Sequence, residues 1–344
     1  MAPKVKPRKL PPMPSSGTYA EKVAARMRGV FGEDKVMLAN SEHIRGQLQG
    51  VIPSPLEVVN QELFGCGGAP VGRIGELFAE EGIGKSSFLL GWLAECQKVG
   101  GLAMLCETEN QLDVELRAPA FGLDLSQLLW WEPDCMEDVL EQFEAIAMSR
   151  AEEDPATRPP AMFGWDTLAA TPTKKEISEG LRGRAAVAER ARMMSHALRL
   201  IPRYAERGGI AVVIVNQTRA NVGVTFGSNV ITPGGNAVKF HASWRMRLMG
   251  GTAVKAGEMH IGKDPIFSMI KNKFGPPFRK ARGRLLFDCG WDDQWTTCNY
   301  GKDMGFIGKA TRASWKNATE VAECAGWDDA YERYKVCLEE ETAA

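Results

Sequence analysis

Short apolar runs of strand length alternate with longer amphipathic stretches through the middle of the chain. The apolar runs lie at residues 74–78, 102–106, 128–131, 161–166 and 210–215. Helical spacing of apolar residues occurs at 85–96, 136–149 and 185–201, and Pro202 is expected to kink or end the last helix. Nearly continuous apolar strands that alternate with helices are typical of a parallel sheet covered on both faces. The pattern therefore predicts an α/β fold.

The segments after residue 240 have a different pattern. Apolar and polar residues alternate over 242–248, which predicts a strand with one buried face. The apolar runs at 266–270 and 284–287 predict further strands, expected to be antiparallel. From Asp288 onward acidic residues outnumber basic ones by 12 to 6, and tryptophans and short helical stretches appear. We interpret 288–344 as a small acidic C-terminal domain.

The first fifty residues divide into two parts. Residues 1–18 are rich in proline and lysine with little to bury, and this composition predicts a disordered basic tail. The apolar residues of 19–32 have helical spacing, so we expect an amphipathic helix followed by a linker up to residue 50. This helix either folds back on the core at 51–287 or docks on another subunit, and the sequence leaves both open.

The strand at 74–78 leads into a glycine-containing loop and then into a helix that begins with Lys85. This is the layout of a phosphate-binding P-loop, although Ala79 stands where the motif has its first glycine. Glycines let backbone N–H groups point inward, and the helix N-terminus adds positive potential. Lys85 is expected to reach the β- and γ-phosphates of ATP, and the Ser86 hydroxyl to bind Mg²⁺. The predicted nucleotide-binding residues are Glu81, Gly82, Ile83, Gly84, Lys85, Ser86, Ser87 and Asp166.

Polar residues follow the later apolar strands directly. In open parallel sheets ligands gather at the carboxyl ends of the strands, and these ends carry Glu109, Asp166 and Gln217. Asp166 fits the carboxylate that holds the Mg²⁺ shell, and Glu109 is a candidate to polarise the attacking water. The alternative interpretation of Asp166 is an aspartate that caps the next turn, and that of Glu109 is a solvated loop carboxylate. Gln217 is placed to sense the γ-phosphate.

The charge of the chain is close to balanced but unevenly distributed. The net charge is −1, yet residues 174–203 hold 8 bases against 3 acids, and 216–247 hold 4 bases and no acid. This predicts a local basic surface on a nearly neutral protein. Eight cysteines without a C-x-x-C pair predict reduced thiols, and neither a long apolar run nor a signal-peptide pattern is found. We therefore expect a cytoplasmic protein that does not bind a membrane.

Two segments are interpreted as loops. Residues 174–184 include Lys174, Lys175, Arg182 and Arg184, whose simplest interpretation is a solvated face. Residues 218–235 form a long, glycine-punctuated stretch in which Arg219 is the only charge. Loops of this length in a compact domain are usually functional or disordered, and a loop whose base touches the nucleotide is suited to act as a switch.

The motifs taken together resemble the bacterial RecA recombinases. The resembling segments follow in family order over about residues 55–287: the P-loop, Glu107–Glu109, Trp165–Thr167, Ala191–Arg199, Val215–Gln217, Gly223–Gly227, Gly234–Phe240 and Lys271–Lys273. The resemblance implies a RecA-type P-loop NTPase core with a mostly parallel central sheet, an N-terminal docking helix and a small C-terminal domain. It also implies an ATP- and Mg²⁺-dependent, DNA-dependent ATPase of recombination and repair, which forms a helical filament on single-stranded DNA and then pairs it with homologous duplex DNA.

The resemblance also implies roles for single residues. The catalytic set is Lys85, Glu109, Gln217, Lys271 and Lys273, of which the last two reach the ATP of the neighbouring subunit. Residues 174–187 and 218–235 correspond to the two DNA-binding loops, Phe240 to an inter-subunit contact and 19–32 to the docking helix. The implied DNA-binding residues are Lys174, Lys175, Arg182, Arg184, Arg192, Ser195, Arg199, Arg219, Gly234, Gly235 and Asn236.

The chain departs from the family pattern at several positions. A non-aromatic residue near Leu116 replaces the tyrosine that stacks on adenine. Basic residues of the second DNA site fall on Met249, Gly250, Ile266 and Ser268, with Arg245, Arg247 and Lys263 nearby. The alternative functions are a regulator of the same fold without turnover, a hexameric helicase-like motor without strand exchange and a small-molecule kinase. The kinase would leave the two loops and the basic clusters unexplained.

Overall fold

The computed structural model describes residues 11–32, 36, 38, 48–109, 112–168, 170–180, 187–220, 230–231 and 235–304. The chain forms two compact units, Met1–Leu48 and Gln49–Ala344. The predictions for residues 1–10, Arg182, Arg184, Gly234 and 305–344 lie outside the described residues, as does most of the loop at 218–235.

The first unit contains helix α1, Tyr19–Phe31, within one residue of the predicted bounds. The hydroxyl of Thr18 accepts the Glu21 N–H, and the Glu21 carboxylate accepts the Thr18 N–H at 2.6 Å. This capping box satisfies two backbone donors that a helix N-terminus leaves open. Of the predicted apolar face Ala24 is buried, whereas Tyr19 and Phe31 are exposed.

The second unit is built on one large sheet with two small two-stranded ribbons. Its strands are β1 (Val51–Ile52), β2 (Ala69–Pro70), β3 (Ile74–Ala79), β4 (Leu102–Glu107), β5 (Leu128–Trp131), β6 (Ala161–Asp166), β7 (Ile210–Gln217), β8 (Arg219–Ala220), β9 (Val230–Ile231), β10 (Trp244–Ala256), β11 (Met259–Asn272), β12 (Lys280–Arg282), β13 (Leu285–Leu286) and β14 (Gly290–Trp291). Its helices are α2 (Lys85–Lys98), α3 (Val114–Phe121), α4 (Met136–Arg150), α5 (Lys174–Glu179), α6 (Val187–Gly208), α7 (Gly235–His241) and α8 (Asp293–Asp303), with a π-helical turn at Val59–Phe64 and a 3₁₀ turn at Leu125–Gln127.

The large sheet has the order β14-β13-β11-β10-β3-β7-β6-β4-β5, and β12 pairs with β11. The six strands from β10 to β5 pair with one another in parallel. Strand β11 pairs antiparallel with β10, and β12, β13 and β14 are added by further antiparallel pairing. The predicted α/β fold with a mostly parallel sheet is confirmed. The P-loop strand β3 lies in the middle of the sheet, between β7 and β10.

Two apolar cores cover the faces of the sheet. One contains residues of α2 and α3, and in it the rings of Phe64, Phe88, Trp92 and Trp244 make edge-on or tilted contacts. The other contains residues of α4 and α6. Gly75 in β3 has no room for a side chain, because a Cβ there would lie 1.8 Å from the Trp244 ring. The Trp244 side chain of the neighbouring strand β10 therefore packs directly over β3.

Three predictions about the elements need correction. Helix α6 does not end at Pro202 but continues to Gly208. Ile201 and Ala205, on either side of the proline, are buried and hold the helix against the core. The predicted loop at 174–187 begins with helix α5, which a capping box of Thr173 and Glu176 starts. The strands predicted at 242–248 and 266–270 are ends of the much longer β10 and β11.

The beginning of the predicted C-terminal domain is part of the sheet. Strand β14 pairs with β13, and the Trp291 ring packs on Phe88 and Phe267 with centroids 5.1 and 5.4 Å away. The boundary at residue 288 stays a prediction, since most of that domain lies outside the described residues.

Candidate nucleotide site and nucleic-acid surface

The carboxyl ends of four neighbouring strands form the candidate site. Cross-strand pairing aligns Ala79 of β3 with Gln217 of β7, and Glu107 of β4 with Asp166 of β6. Sheet order thus brings together residues that are up to about 140 positions apart in the chain, as expected for ligand sites in open α/β sheets.

The loop between β3 and α2 has the backbone of an anion site. Gly82 and Gly84 have φ values of 72° and 113°, which glycine adopts without strain. No side chain caps the N-terminus of α2, and its first turn carries no acidic residue. The backbone N–H groups and the positive end of the helix are thus left for an anion.

Ala79 does not disturb this loop. It is the last residue of β3, fully buried, and its carbonyl accepts the Thr218 N–H at 2.9 Å. Among the described non-glycine residues, Phe278 is the one with a positive φ, so alanine fits the conformation at position 79. The first glycine of the motif is therefore not needed for the backbone found here.

Lys85 begins α2 and is buried. Its Nζ donates a hydrogen bond to the Glu80 carbonyl at 2.9 Å. Burial lowers the pKa of Lys85, and the nearby carboxylates of Asp166, Glu109 and Glu81 oppose this effect. A buried ammonium with so few acceptors is suited to bind the oxygens of a phosphate.

Asp166 lies at the end of β6 and is 3% exposed. Burial raises its pKa to about 6, while a hydrogen bond with Ser86 lowers it and Glu109 raises it again. Its Oδ1 is buried and has no hydrogen-bond partner among the described residues. An unpaired buried carboxylate oxygen beside a serine hydroxyl is the donor set of a Mg²⁺ site, so Ser86 and Asp166 fit the metal.

Glu109 is held by two side chains from other strands. Its Oε1 accepts hydrogen bonds from Thr167 Oγ1 at 2.9 Å and from Gln217 Nε2 at 2.8 Å. Its backbone N–H donates to Glu107 Oε1 at 2.9 Å. The predicted water-polarising residue and the predicted sensor are thus in direct contact.

A group of threonines behind Glu109 was not predicted from the sequence. The hydroxyl of Thr108 donates to the Thr167 carbonyl at 2.8 Å, and that of Thr171 donates to the same carbonyl at 3.0 Å. Trp165 Nε1 in turn donates to the Thr171 hydroxyl at 3.0 Å. These bonds fix the turn that presents Asp166 and Thr167. The signal in the sequence was the run of threonines just after two apolar strands.

A buried ionic network lies under the site. Arg245 Nε donates to Glu76 Oε2 at 2.5 Å, and Asn216 Nδ2 donates to Glu76 Oε1 at 2.8 Å. The Arg245 guanidinium also lies 4.7 Å from the centroid of the Phe78 ring. Because Asn216 precedes Gln217, the network ties the sensor strand β7 to β3 and β10. In the sequence, this network was indicated by the glutamate within the otherwise apolar strand at 74–78.

The predicted DNA-binding residues of α6 lie on its exposed side. Arg192 and Arg199 are exposed, Ser195 is half-buried, and Arg199 Nε donates to the Ser195 carbonyl at 2.9 Å. The same exposed side carries further basic residues that were not predicted: His196, Arg203 and Arg207. Helical spacing alone pointed to them, since they are three or four positions apart.

The lysines of α5 are engaged in ion pairs. Lys174 Nζ lies 3.0 Å from Asp138 Oδ1, and Lys175 Nζ lies 4.0 Å from Glu179 Oε1. Such exposed pairs are weak and can exchange for phosphate. Arg182, Arg184 and Gly234 lie outside the described residues, and the side chains of Arg219, Gly235 and Asn236 are not described.

Lys271 and Lys273 lie at the end of β11, two strands from β3. Lys271 pairs with Arg245 of β10, and Arg245 pairs with Glu76 of β3. Lys271 therefore lies roughly 10 Å sideways from β3, level with Glu76 and well before the P-loop. Lys271 Nζ donates to the Lys239 carbonyl at 2.8 Å and the Phe240 carbonyl at 3.3 Å, at the end of α7. Among the described residues neither lysine forms a salt bridge.

Comparison with known proteins gives a consistent result. A family model described as the RecA N-terminal domain matches residues 20–292. The protein RecA of Bacteroides thetaiotaomicron is 34% identical over 310 residues, 90% of this chain and 88% of that protein. The protein RecA of Thermotoga neapolitana is 34% identical over 296 residues (86% and 80%), and that of Psychrobacter arcticus 38% over 252 residues (73% and 68%). The chain belongs to the RecA family.

In this member of the RecA family, two of the basic residues near the predicted second DNA site have partners elsewhere. Arg245 is engaged in the buried pair with Glu76, and Lys263 donates to the Gly82 carbonyl at the P-loop. Both are thus engaged outside the predicted second DNA site. Ser268, at a position where the resemblance implies a base of that site, is buried.

None of the helices in the described ranges has the length and apolar content that a membrane span requires.

We expect the Asp166→Asn variant to be more stable than the unaltered protein at pH 8 without nucleotide and Mg²⁺. The folded pKa of about 6 lies above the ordinary value of 3.8, so the stabilising contribution of this carboxyl is present below about pH 4 and is lost as the pH rises through about 6. Asparagine does not ionise, so it should raise the free energy of unfolding by up to about 3 kcal/mol at pH 8. Urea unfolding at pH 8 and near pH 4 measures the difference, with Glu152→Gln as an exposed control. Equal stabilities at pH 8 would contradict the buried charge.

Proposed function

We propose that the chain is an ATP-dependent recombinase, which forms a helical filament on single-stranded DNA and pairs it with homologous duplex DNA. The contact between Glu109 and Gln217 carries this proposal. It joins the residue suited to orient a water at the γ-phosphate to the last residue before the predicted DNA-binding loop at 218–235.

The chemistry follows from the residues around the P-loop. The N–H groups of the loop and Lys85 bind the phosphates of ATP, and Ser86 and Asp166 hold Mg²⁺. When bound, Mg²⁺ neutralises charge on the phosphate oxygens. Glu109 orients the attacking water and accepts its proton, and Thr167 keeps the carboxylate in place. Lys85 stabilises the charge that develops as the bond to the γ-phosphate breaks.

Gln217 is the proposed link between hydrolysis and DNA binding. Strand β7 ends at Gln217, and two residues later β8 begins, which pairs with β9 as an antiparallel ribbon. When the γ-phosphate competes for the Gln217 amide, the hydrogen bond to Glu109 breaks, and the base of the ribbon follows the backbone of Gln217. Such an order change in a loop is a common switch in nucleotide hydrolases.

The filament is proposed to form by head-to-tail contact. Phe240 is 72% exposed at the end of α7, and Tyr19 and Phe31 expose aromatic surface on α1. A heterologous contact between identical chains gives a helix unless its rotation closes a ring. The ring would be the helicase-like alternative.

ATP turnover with and without single-stranded DNA tests the proposal most directly. We expect strong stimulation by DNA, loss of turnover in Glu109→Gln with retained ADP binding, and wild-type behaviour of the exposed control Glu152→Gln. Equal rates with and without DNA would instead favour a regulator or a kinase. DNA unwinding without pairing of homologous strands would favour the helicase-like motor.

Binding of single-stranded DNA should weaken steeply with salt. Phosphates that Arg192 and Arg199 neutralise release counterions, so each alanine substitution should lower the slope of log affinity against log salt by about 1. Because such contacts go to the backbone, the affinity should be nearly independent of sequence. Lys98→Ala, an exposed lysine at the end of α2, is the control. An affinity that does not change with salt, or a preference for one short duplex sequence, would contradict this assignment.

A further inference from the structure

Two cations besides Lys85 lie against the nucleotide loop in the described part of the chain. Lys263 of β11 donates to the Gly82 carbonyl, and Arg117 Nη2 of α3 donates to Ser87 Oγ at 3.1 Å. A Cβ built on Gly84 would lie 4.0 Å from Lys263 Cε, so the lysine side chain runs beside the loop. Both residues come from elements far from the P-loop in sequence.

These two cations have unused capacity for an anion. Within the described ranges neither forms a salt bridge, in contrast to Arg284 and Arg279, which pair with carboxylates. Arg117 Nε is buried and has no hydrogen-bond partner there, which is costly for a charged donor. Burial lowers the pKa of Lys263 most, and Arg117 and Lys85 lower it further. Carboxylates oppose the effect of burial at Lys85, whereas at Lys263 the neighbouring charges are positive and add to it.

The direction of approach indicates which part of a nucleotide they meet. Gln217 and Asp166 come from β7 and β6, on one side of β3, whereas Lys263 comes from β11, on the other side. Arg117 reaches Ser87, one residue deeper into α2 than Ser86, from a helix that contacts α2 and β14. Lys263 therefore approaches the loop from the side opposite the groups suited to hydrolysis, and Arg117 lies at the first turn of α2.

We propose that Arg117 and Lys263 bind phosphate oxygens of the nucleotide within the same subunit, at the diphosphate that ATP and ADP share. This rests on the proposed nucleotide-binding function of the P-loop. A bound diphosphate relieves the repulsion among the three cations and gives Arg117 Nε an acceptor. Charged hydrogen bonds to phosphate are among the strong ones in proteins. The two residues are nucleotide-binding residues in addition to those of the loop.

Calorimetry with two probes, Mg-ADP and Mg-adenylyl imidodiphosphate, tests the proposal. Arg117→Gln and Lys263→Gln should each raise both dissociation constants by about tenfold, and to the same extent for the two nucleotides. The charge-retaining variants Arg117→Lys and Lys263→Arg should recover most of the affinity. Lys255→Gln, an exposed lysine on the neighbouring strand β10, is the matched control and should bind as the unaltered protein does.

The salt dependence separates binding from a purely structural role. A lost phosphate contact lowers the slope of log affinity against log salt, whereas a distorted loop weakens binding at every salt concentration without changing that slope. Wild-type affinity in both glutamine variants would overturn the inference while leaving the proposed function intact, provided Lys85→Ala loses binding. Unchanged binding in Lys85→Ala would instead remove the proposed function. Weakening for the triphosphate analogue alone would overturn the diphosphate assignment.

Discussion

ATP hydrolysis should fall by at least about 100-fold in Lys85→Ala, which is the largest single-residue effect that the structure predicts. Lys85 is buried, donates to the Glu80 carbonyl and has Asp166 and Glu109 as charged neighbours. No other residue of the first turn of α2 offers a cation at this place. Alanine therefore leaves the developing charge on the phosphates without its ammonium.

The matched control is Lys98→Ala, at the last turn of the same helix. Lys98 is exposed and pairs with Glu95 at 2.6 Å, so its removal should leave turnover within about twofold. Thermal unfolding of Lys85→Ala should show a folded protein, since the variant avoids the burial of an ammonium group. Wild-type turnover of folded Lys85→Ala would remove the P-loop assignment.

The double variant Lys271→Ala, Lys273→Ala should lose DNA-stimulated turnover while it still binds ATP. Both lysines lie two strands from β3 and well before the P-loop of their own chain, so they are too far from it to act there. Across a head-to-tail interface they would meet the γ-phosphate of the neighbour, where charge accumulates. Hydrolysis would then be completed only between subunits.

Mixing the double variant with Lys85→Ala separates this role from an ordinary surface charge. In a random equal mixture about a quarter of the interfaces join intact lysines to an intact P-loop, so turnover should return to about that fraction. The control pair Lys255→Ala, Lys280→Ala removes two exposed lysines of neighbouring strands and should behave as the unaltered protein does. A mixture that co-assembles on DNA but stays inactive would exclude action between subunits.

The two lysines should differ in one respect. Lys271 Nζ donates to the carbonyls that end α7, the helix that follows the predicted second DNA-binding loop, whereas Lys273 is exposed after the end of β11. Contact with a neighbour's ATP would draw Lys271 from those carbonyls. Lys271 would in this way couple the proposed filament interface to the predicted DNA-binding loop through α7.

The P-loop and the strands could be predicted because their signals are local. The spacing of Gly82, Gly84 and Lys85 and the apolar runs depend on neighbours along the chain, and the structure has them close to the predicted bounds. Helix α5, which lies in a predicted loop, also has a local signal in the sequence. This signal is the capping pair Thr173 and Glu176, which begins the helix. Pro202 was overestimated as a helix end, because burial on both sides outweighs one missing hydrogen bond.

The sequence by itself determined an α/β protein with a P-loop and with polar residues at the ends of its apolar strands, since both follow from local spacing and hydrophobicity. Only the tertiary structure decided which of these residues touch. The order of strands puts Gln217 on Glu109 and Arg245 on Glu76, and it brings Lys263 to the P-loop. The sequence does not show the environment of an arginine or a lysine, because burial and the pairing of distant strands decide whether each side chain meets a carboxylate, a loop or solvent.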